Sequence, residues 1–134
     1  MKGKLPENVL EVFLETLPFE FTVIDENDRV LGWNNHEARI LQRPEEVIGE
    51  DLRSCHPEKS LPKIEQLLKE LKEGKRDTAR FWIDLSLDPE SEKQKFLVEY
   101  YALRDSNGKY MGCLETFRNI TEIQKLTGEK RTLD

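Results

Sequence analysis

Cys55 and His56 stand side by side ahead of Pro57, and they are the densest pairing of reactive side chains in the sequence. A thiol is a nucleophile or soft metal ligand, and an imidazole is a proton carrier or metal ligand. Structural zinc needs four ligands at short spacings, and only His36 and Cys113 remain, far apart in the chain, so no metal site is expected. The plainer reading makes His56 a hydrogen-bonding loop residue and Cys55 a small buried hydrophobe or a modest redox handle. Glu99 and Glu115 interrupt otherwise apolar runs: each either faces water or lends a cavity a polar handle. Trp82, Tyr100 and Tyr101 either stack on a guest or fill a core. No nucleophile has an oriented base, no glycine loop cradles a phosphate, and neither histidine lies in a zinc-protease motif. The chain is therefore not expected to be an enzyme.

The elements that must position these groups begin with residues 5–17. Val9, Leu10, Phe13, Leu14 and Leu17 fall on one helical face, with Glu7, Glu11 and Glu15 on the other. Pro6 suits the first turn and Pro18 ends the helix. Its apolar side needs a partner, either its own sheet or a second copy of the chain. Residues 19–34 then read as strand, acidic turn and strand, with Asn34 or Asn35 as cap for a short helix over 36–41. Pro44 opens another short helix that stops at Gly49. Residues 52–62 read as loop or fragmentary helix, and Ile64, Leu67, Leu68 and Leu71 mark a longer helix ended by Gly74. Three strands follow: Phe81 onward, residues 96–103, and residues 110–117, the last two joined by an Asn-Gly turn. Asn119-Ile-Thr-Glu122 has cap-x-x-Glu spacing, so a helix is expected to restart there.

The order helix, two strands, helical segment, three strands predicts an α+β fold: a five-stranded antiparallel sheet with helices on one face and an N-terminal amphipathic helix. Short helices pack irregularly on a sheet, so a small-molecule cavity is expected between the two. With 134 residues, 37% of them hydrophobic, the chain makes one domain: residues 1–17 the N-terminal helix, 18–119 the core, 120–134 a C-terminal helix or tail. A net charge of −6 disfavours nucleic acid and anionic membrane as partners. No signal-peptide core and no run of roughly 18 apolar residues is present, so a cytoplasmic location with free thiols is expected.

Taken together and in order, Leu17-Pro18, Val23-Ile24-Asp25, Arg29-Val30-Leu31, Trp33-Asn34, Val47-Ile48-Gly49 with Leu52, Gly112, and Asn119-Ile120-Thr121-Glu122 resemble the PAS family of sensory domains over nearly the whole chain. The family usually has Asp where this chain has Asn119. Residues 55–60, 81–85 and 128–134 are similar to the PAS module that follows a hemerythrin-like domain in some prokaryotic proteins. The resemblance implies a PAS fold and a sensor that binds a small molecule, here near Cys55, His56, Ile64, Tyr100 and Glu115. It also implies relay through the termini and an effector or hemerythrin-like domain as partner in a larger protein, while the apolar face of the first helix, Val9, Leu10, Phe13, Leu14 and Leu17, is larger than one edge of a small sheet needs and is expected to mediate homodimerisation. A PAS domain that only dimerises or docks is the alternative. The cofactor is left unnamed: His56 is a candidate haem ligand, although the familiar haem histidine of the family lies further along, where this chain has residues 60–64. The Asn-Cys-Arg motif of the flavin-binding branch is missing.

Overall fold

In the computed structural model, residues 1–35 and 39–133 are described. Helix α1 (Glu7–Thr16) precedes strands β1 (Glu20–Asp25) and β2 (Val30–Trp33). A helical arm follows, made of 3₁₀ turns at Glu45–Val47, Leu52–Cys55 and Glu58–Ser60 and of helix α2 (Leu61–Lys72). Strands β3 (Thr78–Leu85), β4 (Gln94–Arg104) and β5 (Tyr110–Asn119) complete the domain. All pairings are antiparallel, in the order β2-β1-β5-β4-β3, so the first and last strands by sequence lie next to each other at the centre. The predicted α+β architecture is the observed one.

Two hairpins with the same local chemistry frame the sheet. In Asp25-Glu-Asn-Asp-Arg29 the Asp25 carboxylate accepts from the N–H groups of Asn27 and Arg29 at 2.8 and 3.0 Å. In Asp105-Ser-Asn-Gly-Lys109 the Asp105 carboxylate does the same for Asn107 and Lys109, at the same two distances. Both turns need one left-handed residue, which is Gly108 at φ 81° in the second and Asp28 at φ 65° in the first. Asp28 occupies a position that favours glycine because its carboxylate is used elsewhere. Buried, it accepts from Arg53 at 3.0 Å and from Lys72 at 2.7 Å, tying both ends of the arm to the hairpin. Arg53 also pairs with Asp51 and Glu65, and these carboxylates hold its guanidinium above its ordinary range.

Helix α2 lies on the sheet through Ile64, Leu67, Leu68 and Leu71, the i, i+3, i+4, i+7 stripe the sequence shows. They pack with Ile24, Val30, Leu52, Ala79, Tyr100 and Cys113, each buried Leu, Ile or Val contributing about 1.5–3 kcal/mol. Gly112, at φ 145°, lies where β5 crosses β1: a Cβ there would sit 2.1 Å from the Ile24 carbonyl oxygen.

Two expectations are corrected. Asn34 is fully buried, and its side chain accepts from Phe21 N–H and donates to the Phe19 carbonyl, so it fastens β1 instead of capping a helix. The helix expected over 36–41 falls partly outside the described residues, and residues 40–41 within it are a bend. After β5, Asn119 accepts from Thr121 N–H as its spacing predicts, but only a 3₁₀ turn, Ile123–Lys125, follows. Ile120 N–H donates to the Lys95 carbonyl and Thr121 Oγ1 accepts from Lys95 N–H, which keeps the chain against β4. Only a few residues separate the cap from Gly128, at φ 63°, and a helix that short is marginal because its nucleation cost is not repaid.

Candidate ligand cleft

The side chains that position the cleft come from one end of the sheet and one staple. Glu20, buried on β1, accepts the N–H groups of Ile40 and Leu41, both at 2.9 Å. Arg39 lies within 3.7 Å of the same carboxylate and donates to the carbonyl oxygens of Leu41 and Asn34 and to Asn34 Oδ1. Burial depresses the Arg39 guanidinium, and Glu20 counters it by favouring the charge. This staple fixes residues 39–41 against β1 and brings the next residue pair, Gln42 and Arg43, over the centre of the sheet.

Between that segment, the 55–57 loop and the inner face of β3, β4 and β5 lies a cleft of about 510 Å³. Ile40, Leu41, Ile83, Val98 and Phe117 give it apolar walls. Arg43, His56, Tyr100 and Glu115 are its polar groups. Arg43 Nη2 donates to Glu115 Oε1 at 3.1 Å, and the two side chains are 9% and 10% exposed, so this is a nearly dehydrated ion pair across 72 residues of sequence. Arg43 Nε is buried and has no partner among the described residues. Tyr100 stands opposite Glu115 in the β4–β5 register. Burial, and then the neighbouring carboxylate, raise its phenol well above the usual range, so it stays a neutral donor. His56 Nδ1 lies 3.0 Å from the Leu52 carbonyl oxygen, which can only accept, so that nitrogen carries the proton and Nε2 keeps the lone pair in the neutral ring.

Of the residues singled out from sequence, Cys55, His56, Tyr100 and Glu115 line this cleft. Ile64 does not; it is buried in the α2 cluster that Tyr100 joins from the other side. Sequence reading missed Arg43. The signal that could have found it is Glu115 itself, since an acid facing inward from a central strand needs a base, and the arm supplies Arg39, Arg43 and Arg53. Trp82 is 64% exposed and belongs neither to the core nor to the cleft, because strand alternation turns Phe81 and Ile83 inward. Among the described residues no three His, Cys, Asp or Glu side chains are grouped to hold a metal, and both cysteines are free.

The outer face of the sheet carries a second cleft of about 430 Å³, lined by Phe19, Leu97, Tyr101, Leu114, Ile120 and neighbours. Helix α1 buries none of its residues: Val9 is 45% and Phe13 47% exposed, while Leu14 and Leu17 are half-buried.

The family model described as "PAS domain" matches residues 10–121. The chain belongs to the PAS domain family. That family consists of sensory and signalling modules, and the sheet order and arm described above are its fold. A C-terminal domain from Streptococcus mutans is 26% identical with a TM-score of 0.82, over 95% of this chain and 94% of that one. The PAS domain of BvgS from Bordetella pertussis is 19% identical with a TM-score of 0.64, covering 88% of each chain. A sensory box sensor histidine kinase from Vibrio cholerae is 13% identical with a TM-score of 0.55, over 85% of this chain and 90% of that chain. No curated protein gives a significant match. No helix among the described residues is long and apolar enough to cross a membrane.

Proposed function

We propose that this PAS domain is a sensor that binds a small molecule in the inner cleft and passes the change to its termini as a homodimer. The observation that carries the reading is the cleft itself: about 510 Å³ with apolar walls and one dehydrated ion pair, Arg43–Glu115. Glu115 and Phe117 sit on β5, which runs directly to Asn119 and the exit of the chain. A guest that repositions Glu115 therefore biases the strand whose end presents the C-terminal segment. Coupling of this kind is typically worth about 1–3 kcal/mol, a 5- to 150-fold bias.

Dimerisation is assigned to α1, whose Val9, Leu10 and Phe13 lie uncovered while the outer sheet face offers an apolar cleft. The Streptococcus mutans neighbour is a C-terminal domain, which is compatible with this domain also working as part of a larger protein, with an effector or hemerythrin-like domain as the proposed partner. The same two apolar surfaces favour the second reading, a PAS domain that only dimerises or docks. Haem fits less well. His56 offers an orientated Nε2, but the cleft it lines also holds the buried Arg43–Glu115 pair, and a large apolar macrocycle is a poor neighbour for dehydrated charges.

Native mass spectrometry and an absorption spectrum of protein purified from its own host separate these readings. A retained small-molecule mass supports the sensor and a Soret band supports haem. A mass equal to the bare chain with a featureless visible spectrum leaves dimerisation alone.

A further inference from the structure

We infer that the inner cleft selects an uncharged guest, an apolar body bearing one carbonyl-type hydrogen-bond acceptor that Arg43 receives. The inference rests on the ligand-binding reading above and adds the chemistry of the guest.

Charge balance around the cleft gives the first argument. Arg39 pairs with Glu20 and Arg43 with Glu115, two cations and two anions, all at most 10% exposed. The set is already neutral. A carboxylate guest would place an uncompensated anion beside Glu115, and an ammonium guest an uncompensated cation beside Arg43; both are more costly to bury than a neutral molecule.

Unused hydrogen-bonding capacity gives the second. A guanidinium is donor-only, and Arg43 spends Nη2 on Glu115 while its buried Nε–H has no acceptor. A buried donor left without a partner is a standing cost, and Arg43 lines the cleft, so a guest carbonyl that reaches its Nε–H relieves that cost. The Tyr100 hydroxyl, kept neutral, is engaged with Glu115, which leaves Arg43 Nε–H as the unspent donor. Ile40, Leu41, Ile83, Val98 and Phe117 supply apolar walls beside the neutral Gln42 and His56 side chains, and about 510 Å³ accommodates a two-ring body.

Three matched probes test this: 2-acetylnaphthalene, 2-ethylnaphthalene and 2-naphthoate, titrated into the whole chain with amide and arginine Nε–H resonances followed by NMR. The ketone should bind about tenfold more tightly than either of the others and move the Arg43 Nε–H signal. Arg43→Lys, which keeps the cation but loses the planar head, should bring the ketone down to the affinity of the hydrocarbon. Equal binding of ketone and hydrocarbon with a stationary Arg43 signal overturns the inference and leaves the ligand cleft standing. Tightest binding by the naphthoate overturns it in favour of an anion site. If no probe perturbs Tyr100, Glu115 or Arg43, the guest chemistry and the ligand-binding reading fall together.

Discussion

Tyr100 and Tyr101 are adjacent on β4, yet the first lines the inner cleft and the second the outer one. The same division runs along β5, where Glu115 and Phe117 face the arm while Leu114, Thr116 and Arg118 face away. Alternation thus sorts two kinds of site from the same strands. The inner face carries a buried acid, which it tolerates because the arm brings Arg43 to it. The outer face keeps its charges in reach of water, as in the Arg80–Glu99 pair whose arginine is 64% exposed, and leaves an apolar strip beside them. One face carries a cleft with a buried ion pair and the other an apolar cleft beside solvated charges.

The largest effect that separates the faces is on stability. Arg43→Ala leaves Glu115 buried without its counter-charge and should cost about 3–5 kcal/mol, read as a lower urea midpoint. Arg80→Ala breaks the exposed pair and should hardly move that midpoint. Equal shifts would mean that the inner pair is not dehydrated in solution.

Removing residues 1–17, or replacing Leu114 with Asp on the outer face, should convert a dimer to a monomer by light scattering while the melting transition persists. A dimer that survives both changes assigns association to another surface.

Alkaline pH should act through the inner face. Burial pushes the Cys113 thiol up to about 12, with Glu115 adding to the effect, and burial likewise raises the Tyr100 and Tyr110 phenols. Folded acids with raised values hold protons that the unfolded chain releases. Stability is therefore complete below the ordinary thiol range, near about 8.5, and declines as pH rises from there toward 12. Urea midpoints that stay flat over that range would contradict this. The smallest effect is on labelling: one thiol per native chain, the half-buried Cys55, should react with iodoacetamide, because Cys113 is 1% exposed.

Much of the sheet was legible in the sequence because two signals coincide there. Phe81 and Ile83 alternate with polar neighbours, and the Asp-x-Asn turns carry hairpin chemistry that acts within five residues. Helix α2 was legible for the same reason, its stripe being local. The cleft was only half legible. Tyr100 and Glu115 are marked by their own positions in apolar strands, but Arg43 becomes a cleft residue only when Glu20 and Arg39 staple the arm, and no local pattern encodes that contact. Ile64 lies in the core cluster with the rest of its helical stripe, outside the lining of the cleft. The C-terminal helix failed because the cap signal at Asn119 says where a helix can start, and says nothing about whether enough residues follow before Gly128 to sustain it.

A crystal structure of the full chain purified from its own host tests the central claim most directly. The account predicts density for an organic molecule between Arg43, His56 and Tyr100, with an acceptor atom within hydrogen-bond reach of the Arg43 guanidinium. A cleft closed by its own Phe117 and Tyr100 side chains, or holding ordered water alone, would contradict it.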